Sequence, residues 1–249
     1  MADPVRPEAV ATDLDGTLLR SDGSLSRRTR RAIAAVEETG VTVVFVTARP
    51  PRRLDEFADV VGPHGVALCA NGAFVYDVAR RVVTEHVSIQ RAVLDEVVAD
   101  LRAAIPRIVF AVERADGMGR EDGFVSVWAD EEAVVGGLAE LADGPVGKLL
   151  GRCDELDPDE FHSRVAMVLD GRVELGYSGA VGLAEITAKG VTKAAGLARW
   201  CARNGVDAGR TWAFGDMPND LPMLNWAGRS HAVANAHHDV LAVVDAVVP

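Results

Sequence analysis

Two aspartates separated by one residue follow the first apolar segment of the chain. The stretch AVATDLDGTLL, Ala9 to Leu19, leads a run of small and apolar residues into Asp13 and places Asp15 directly before Gly16. A charge buried without a partner costs several kcal/mol or is neutralised, so we expect these carboxylates to have a use. One can act as nucleophile and the other as general acid and base, provided that a continuing strand points both to one face. The alternative interpretation is a solvated Asp-Gly turn.

A second acidic segment lies near the C-terminus. FGDMPNDLPML places Asp216 after another apolar run, with Asn219 and Asp220 at the start of a predicted helix. Mutual repulsion among converging carboxylates would raise their pKa values unless a dication lay between them. Oxygen-only ligands select magnesium over zinc or copper. The alternative is that Asn219 or Asp220 simply caps the helix.

The segment GVTKAAGLARW supplies positive charge. Thr192 can cap a helix and Lys193 then falls in its first turn, where an exposed lysine would oppose the helix dipole. This placement is favourable if the lysine and the helix N-terminus face an anion together. Lys189, in a predicted loop, fits an ordinary surface lysine better. In FVTARP, Thr47 ends a strand, and its hydroxyl and the following N–H could hold a phosphoryl oxygen.

The first third and the last quarter of the chain alternate apolar runs with helical segments. Continuous apolar strands separated by helices predict an α/β fold with a doubly wound, parallel-sheet (Rossmann-like) core, in which ligands bind beyond the carboxyl ends of the strands. Asp13, Thr47 and Asp216 fall at or just after such ends. The predicted strands are EAVATD, VTVVFVT, VALCANG, RTWAFGD and SHAVANA, and the predicted helices are SRRTRRAIAAVEETG, PPRRLDEFADVVG, VTKAAGLARWCARNG, NDLPMLNWAG and one at the C-terminus.

The middle of the chain has a different pattern, which predicts an α+β insertion with antiparallel strands, a second domain packed over the first. We place the core domain at residues 1–80 and 185–249 and the cap domain at 81–184. The polar, glycine-rich segment from Glu113 to Phe124 fits a mobile hairpin better than a substrate-reading loop. Predicted helices are SIQRAVLDEVVADLRAAIP and EEAVVGGLAELADG, and predicted strands are RIVFAVER, FVSVWA, SRVAMVLDG and RVELGYSG.

Composition excludes several classes of protein. The 249 residues carry a formal charge of −11 without a basic cluster, so a nucleic-acid partner is not expected and any anion site must be locally positive. Cys69, Cys153 and Cys201 form no CxxC pair and fit buried small hydrophobes in a reducing compartment. The N-terminal residues lack a signal-peptide pattern and no apolar run approaches about 18 residues. We therefore expect a cytoplasmic protein without a membrane partner.

The order of these motifs resembles the haloacid dehalogenase superfamily of phosphohydrolases. DLDGTLL is similar to its first motif, VTAR to its second, Lys193 in GVTK to its third and GDMPND to its fourth. The long insertion between the second and third motifs, with CANGA before it and VANA after the fourth, resembles the Cof-type subgroup. The resemblance covers essentially the whole chain.

The resemblance implies a role for each candidate residue. Asp13 would be the nucleophile and Asp15 the general acid and base, while Mg²⁺ would bind Asp13, Asp216 and the backbone carbonyl of Asp15. Asp220 would support Lys193 or the metal shell, and we count both Asp15 and Asp220 with the candidate metal ligands. The candidate phosphate- or substrate-binding residues are Thr47, Lys193, Asn71 and Asn219, together with the backbone at Leu14 and Ala48.

The predicted activity is magnesium-dependent hydrolysis of small phosphate esters, with sugar phosphates as the class that the subgroup indicates. Family members that cleave carbon–halogen bonds lack the aspartate at position 15, and the ion-pumping ATPases have threonine there. A phosphomutase is one alternative, and a non-enzymatic sugar-phosphate sensor is disfavoured because both aspartates are intact. The chain departs from the common motifs at Ala48, Met217, Pro218 and Ala234, which affects loop geometry but none of the reacting groups.

Overall fold

The computed structural model describes residues 6–60, 65–126, 133–178 and 180–249. The chain divides into two compact units. Unit 1 comprises Met1–Glu85 and Thr192–Pro249, and unit 2 comprises His86–Val191. In the described parts of the chain no helix is both long and apolar enough to cross a membrane.

Unit 1 is built on an eight-stranded sheet in the order β14-β13-β12-β1-β2-β3-β4-β5. Every neighbouring pair from β14 to β3 is parallel, and β4 returns antiparallel to β3. The predicted α/β fold with a parallel sheet is therefore confirmed. The strands are β1 (Ala9–Thr12), β2 (Thr42–Val46), β3 (Val66–Cys69), β4 (Phe74–Asp77), β5 (Val82–His86), β12 (Thr211–Gly215), β13 (Arg229–Val233) and β14 (Ala246–Val248).

The helices of unit 1 are α1 (Arg27–Glu38), α5 (Lys193–Asn204), α6 (Leu221–Trp226) and α7 (His238–Leu241). Ser26 and Thr192 cap α1 and α5 by accepting N–H groups of the first turn, as predicted for Thr192. Apolar residues of α5 and α6 pack with those of the central strands in one core, which includes Leu197, Met223 and Ala213. The predicted C-terminal helix is the short α7, which is followed by β14.

The predicted helix over 50–62 is wrong for its described part. The chain instead makes two single 3₁₀ turns, Pro51–Arg53 and Asp55–Phe57. Leu54, Phe57 and Val60 are all buried, at intervals of three residues. That spacing matches the three residues per turn of a 3₁₀-helix rather than the 3.6 of an α-helix.

Unit 2 contains a six-stranded sheet in the order β10-β11-β9-β6-β7-β8, antiparallel except between β7 and β8. Apolar residues of α2 and α4 pack with the sheet in a second core, around Phe110, Phe161 and Leu149. The elements are α2 (Arg91–Ala104), β6 (Val109–Arg114), β7 (Gly117–Arg120), β8 (Val134–Val135), α3 (Leu138–Leu141), β9 (Lys148–Arg152), α4 (Pro158–Leu169), β10 (Val173–Gly176) and β11 (Leu183–Ala188).

Three predictions in unit 2 are wrong. SRVAMVLDG lies mostly in α4 rather than in a strand, because Asp157 caps the helix, Pro158 opens it, and the buried side chains follow a helical repeat of four. The predicted helix over 131–144 is reduced to α3, because Gly136 and Gly137 directly precede α3. Residues 131 and 132 of the predicted helix lie outside the described residues. FVSVWA forms no strand over 124–126, and the rest of it is not described.

The unit boundaries differ from the predicted domain limits. β5 belongs to the sheet of unit 1, although we placed residues from 81 onward in the cap. β11 pairs with β9 and β10 in unit 2, so the predicted limit at 184/185 falls inside a strand. Hydrogen bonding across the sheet, which a single sequence does not reveal, sets these limits.

Candidate active site

The candidate residues of unit 1 follow the carboxyl ends of three neighbouring strands. Asp13 comes directly after β1, Thr47 after β2 and Asp216 after β12. β1 lies between the other two strands, with Thr12 opposite Phe45 on one side and Phe214 on the other. Parallel strands in this register end at one edge of the sheet, so the predicted convergence is present.

Lys193 is the positive centre of the site. Its Nζ donates to Asp13 Oδ1 at 2.7 Å and to Asp220 Oδ1 at 2.7 Å, and its side chain is only 3% exposed. It stands in the first turn of α5, where Thr192 accepts the N–H of Ala195. The two carboxylates offset the unfavourable position of a cation at a helix N-terminus. In this structure the anionic groups that Lys193 contacts are two carboxylates of the protein itself, and its binding of phosphate stays a prediction.

Asp220 is committed to hydrogen bonds through both carboxylate oxygens. Oδ1 accepts from Lys193, and Oδ2 accepts the backbone N–H groups of Asp216 at 3.1 Å and Met217 at 3.0 Å. Its side chain is fully buried. Asp220 therefore caps the turn that leads into α6 and orients Lys193, with each of its oxygens already accepting a hydrogen bond. The contacts favour the supporting role over the metal-ligand role that we also predicted.

Asp13, Asp216 and Asp220 offer carboxylate oxygens within 4.8 Å of one another. Burial is the main cause that raises the pKa of Asp13 to about 8. The attraction of Lys193 lowers this pKa, whereas the neighbouring charges of Asp220 and Asp216 raise it. Burial also raises the pKa of Asp216, and Thr17 Oγ1 donates to its Oδ1 at 2.7 Å. A buried cluster of this kind, made of oxygen donors only and short of positive charge, fits a hard dication such as Mg²⁺.

The chain turns within residues 14–18, which contain Asp15. β1 ends at Thr12, the backbone at Asp15 is extended but outside any strand (φ −76°, ψ 118°), and Gly16 is left-handed (φ 84°). The proviso that Asp13 and Asp15 lie in one continuing strand is therefore not met. A Cβ at Gly16 would lie 3.0 Å from Asp216 Cγ, so the absence of a side chain lets the two acidic loops meet.

Arg49 holds Asp15 and was missed in the sequence. Its Nε donates to Asp15 Oδ2 at 2.8 Å and its Nη2 to Oδ1 at 2.6 Å, while Nη1 donates to Glu56 Oε1 at 3.0 Å. The Asp15 side chain is 51% exposed. Its carboxylate is thus held by a guanidinium, and this contact leaves open the metal role predicted for Asp15, which is that of its backbone carbonyl. The sequence contained a signal for this contact, because Arg49 lies only two residues after the candidate Thr47 in FVTARP.

The loops after β2 and β3 are bonded to each other. Thr47 is buried, and its hydroxyl accepts the N–H of Arg49 at 3.1 Å. The carbonyl of Thr47 accepts the N–H of Asn71 at 2.9 Å, and Asn71 has a left-handed φ of 58°. Leu14 is fully buried, and the residue between Thr47 and Arg49 is Ala48. These contacts hold the backbone on both sides of Ala48, which is a candidate phosphate-binding position, in one conformation.

Asn219 is the middle residue of the 3₁₀ turn Pro218–Asp220. Its Oδ1 is a buried oxygen without a hydrogen-bond partner among the described residues. A buried acceptor of this kind calls for a donor that the protein alone does not supply. Asn219 shares this turn with Asp220, and its role as a phosphate-binding residue stays a prediction.

Helix α5 rests directly on the loop after β3. A Cβ at Gly196 would lie 2.9 Å from Gly72 Cα, and Arg199 Nη2 donates to the Gly72 carbonyl at 2.8 Å. Gly72 has φ 92°, a conformation that side chains disfavour. This backbone-to-backbone contact fixes the start of α5 and therefore the depth at which Lys193 enters the site.

Gly16→Ala is expected to lower turnover more than stability. The new methyl group would collide with the Asp216 carboxylate, and displacing a catalytic group by about 1 Å can cost about 10²-fold in rate. Gly23→Ala is the matched control, because Gly23 has φ 77° but nothing within 4 Å of the added Cβ. Both variants should lose about 1–2 kcal/mol of unfolding free energy from the left-handed conformation. Equal catalytic losses in initial-rate assays would contradict the proposed collision.

The arrangement as a whole can attack an electrophile and stabilise an anion. The buried Asp13 carboxylate touches the buried Lys193 ammonium group, and the Asp15 carboxylate, two residues along the chain, is held by the Arg49 guanidinium. Such preorganised charges are the means by which proteins stabilise phosphoryl-transfer transition states.

Comparison with known proteins agrees with this arrangement. Residues 10–249 match the family model of haloacid dehalogenase-like hydrolases. A pyridoxal phosphate phosphatase of Escherichia coli is 28% identical over 96% of this chain and 92% of its own length. A 5-amino-6-(5-phospho-D-ribitylamino)uracil phosphatase of Bacillus subtilis is 25% identical over 95% of this chain and 87% of its own.

Solved structures share the fold. A haloalkanoate-superfamily phosphatase from Bacteroides thetaiotaomicron superposes with a TM-score of 0.82 at 23% identity, over 98% of this chain and 90% of its own. A subclass IIB sugar phosphatase of the same superfamily gives a TM-score of 0.79 at 21% identity, over 97% and 93% of the two chains. The similarity extends through both units of the chain.

Proposed function

The chain belongs to the family of haloacid dehalogenase-like hydrolases and is a phosphatase of that family, and from this we propose that it hydrolyses small phosphorylated metabolites with Mg²⁺ through an aspartyl phosphate on Asp13. The observation that carries the proposal is the buried contact of Asp13 with Lys193 at the end of β1, beside Asp216. The predicted family resemblance is confirmed, while the roles of individual residues are our proposal.

Asp13 is the nucleophile in this scheme. One carboxylate oxygen attacks phosphorus, the bond from phosphorus to the ester oxygen breaks, and the leaving alkoxide takes a proton from Asp15. Asp15 then removes a proton from water, which attacks the aspartyl phosphate and releases inorganic phosphate with the Asp13 carboxylate restored. The exposure of the Asp15 side chain supports this role, because it can exchange protons with water.

The transferring phosphoryl group is bound by donors from three elements. Lys193 provides the fixed charge, Thr47 its hydroxyl and Asn219 its side chain, with backbone N–H groups at Leu14 and Ala48 and the nearby Asn71 as further candidates. Asp13 and Asp216, with the backbone carbonyl of Asp15, would hold Mg²⁺. When bound, that ion neutralises charge on the phosphoryl oxygens. Asp220 keeps Lys193 in place.

Small phosphate monoesters are the proposed substrate class. The matched relatives are named for phosphorylated cofactor precursors, pyridoxal phosphate and sugar phosphates. We propose sugar monophosphates first among these. We also propose a cytoplasmic location, because all three cysteines are buried and free, as predicted, which suits a reducing compartment.

The test is a phosphate-release assay across a panel of phosphorylated metabolites with Mg²⁺. We expect broad, modest activity on sugar monophosphates. Isomerisation of a hexose phosphate in the presence of its bisphosphate without phosphate release would show a phosphomutase instead. A clear preference for nucleic acid or phosphoprotein would contradict the proposed substrate class.

Calcium is expected to bind the aspartate site and inhibit. Magnesium tends to leave one oxygen of a carboxylate ligand free, whereas calcium accepts both at about 2.3–2.6 Å. Bidentate capture of Asp13 would remove the oxygen that attacks phosphorus. Initial rates measured against Mg²⁺ at several fixed Ca²⁺ concentrations should show competitive inhibition. Full activity with Ca²⁺ alone would mean that Asp13 is not a metal ligand.

Arg49→Lys is expected to lower kcat while leaving the fold intact. Lysine keeps the charge but cannot reproduce the two parallel hydrogen bonds to Asp15, so the acid–base group loses its orientation. We expect kcat to fall about tenfold or more, as part of the 10²–10⁴ that general acid–base catalysis supplies. Arg80→Lys, at the exposed pair with Asp77, is the matched control. Equal kcat values for the wild type and Arg49→Lys would show that Arg49 has no part in proton transfer.

A further inference from the structure

Two consecutive histidines and an aspartate form a second group of metal-ligating side chains. His237, His238 and Asp239 each offer one ligand atom, and these atoms lie within 4.8 Å of one another. His237 Nδ1 is 3.5 Å from Asp239 Oδ2, and His238 Nε2 is 3.1 Å from Asp239 Oδ1. Two donors bound tetrahedrally at about 2.0–2.1 Å stand about 3.3 Å apart, so each imidazole lies at about a ligand-to-ligand separation from one oxygen of the Asp239 carboxylate.

The backbone of this group is already fixed. The N–H of His237 donates to the Asp216 carbonyl at 2.8 Å. The carbonyl of His237 accepts the N–H groups of Val240 at 2.9 Å and Leu241 at 3.1 Å. A metal ion would therefore have to order side chains only, which lowers the entropic cost of binding.

The ring atoms are in a state that suits coordination. His237 Nδ1 faces the N–H of Asp239 at 3.3 Å, which places this nitrogen as a hydrogen-bond acceptor. That hydrogen bond is long, and a metal–nitrogen bond can replace it. The His238 side chain is 83% exposed and the Asp239 side chain 56% exposed, which leaves coordination positions open to water.

We propose that His237, His238 and Asp239 bind a transition-metal dication of the zinc class. Imidazole nitrogen with one carboxylate selects such ions, whereas magnesium prefers oxygen ligands. The site differs from the aspartate cluster in donor type and in exposure. The chain would then carry two cation sites of different selectivity, joined through the hydrogen bond from His237 to Asp216.

The proposal is tested by calorimetric titration of the full chain with Zn²⁺ in excess Mg²⁺, which keeps the aspartate cluster occupied. Titration with Co²⁺ adds a readout, because visible d–d absorption reports nitrogen coordination and low coordination number. The variants are His238→Ala and Asp239→Asn, at exposed positions where folding is not at risk. His86→Ala, an exposed histidine outside the group, is the matched control.

We expect the wild-type chain and His86→Ala to take up one Zn²⁺ equally, and His238→Ala and Asp239→Asn to bind about tenfold more weakly or worse. Zinc affinity should not change when Mg²⁺ is raised further. Equal binding by all four proteins would overturn the proposal. Loss of zinc binding on raising Mg²⁺ would do the same, because it would place the zinc among the aspartates.

Discussion

Asp13→Asn abolishes turnover of p-nitrophenyl phosphate and leaves the fold intact, if Asp13 is the nucleophile. An amide cannot attack phosphorus, and removing a covalent nucleophile costs about 10⁴-fold or more in rate. Lys193 retains Asp220 as its partner in this variant. Burial raises the pKa of the Asp13 carboxyl to about 8, so a neutral side chain is well tolerated at this position. We therefore expect a thermal midpoint equal to or above that of the wild type.

The control for this prediction is Asp143→Asn, at an exposed carboxylate of unit 2, which should change neither rate nor stability. Circular dichroism and a thermal scan check the fold, and phosphate release checks the rate. A pure Asp13→Asn preparation that keeps more than a few per cent of the activity would refute the assignment.

Lys193→Met is expected to damage both catalysis and stability. The ammonium group is buried between Asp13 and Asp220, and removing one partner of a buried ion pair costs about 3–5 kcal/mol. Loss of a fixed charge from the phosphoryl site should lower kcat by a further factor of about 10²–10³, which is the cost of removing one hydrogen-bond donor from an oxyanion hole. Chemical denaturation in metal-free buffer measures the first effect, and initial rates with Mg²⁺ measure the second.

Lys189→Met is the matched control, because Lys189 is exposed. It should leave both quantities unchanged. If Lys193→Met kept wild-type stability, the two aspartates would have to be protonated in the variant, and its stability should then fall as the pH rises. A stable Lys193→Met variant without that pH dependence would contradict the ion-pair account.

Much of the site could be predicted because strand ends and motif spacing lie in local sequence. Asp13, Thr47 and Asp216 each follow an apolar run, and the topology brings such ends together. The partners of each group could not be predicted, because they depend on side-chain geometry between distant segments. Arg49 binding Asp15, and Asp220 using both oxygens on Lys193 and backbone N–H groups, are contacts of this kind.

The same division holds for the fold. The parallel strands of unit 1 were clear because they are continuously apolar. In unit 2, VAMVL is equally apolar but belongs to α4, where the cap at Asp157 lies upstream of the segment that we read as a strand. β11 was missed because LAEITA carries a buried glutamate, Glu185, whose partner is Lys148 on β9 at 2.5 Å. Local pattern does not reveal a charge paired across a sheet.

The pairing of β1 with β12 has a consequence for the order of events during synthesis. Ala9 lies opposite Thr211, so the first strand acquires this neighbour only after more than four-fifths of the chain has been translated. Unit 2, in contrast, is a continuous segment with its own sheet and core, and it can fold as soon as it leaves the ribosome. Closing long-range contacts is the slow part of folding. A chain that terminates at the end of unit 2, at Val191, lacks both Lys193 and Asp216. Such a truncated product can contain a folded unit 2 without a reactive aspartate site.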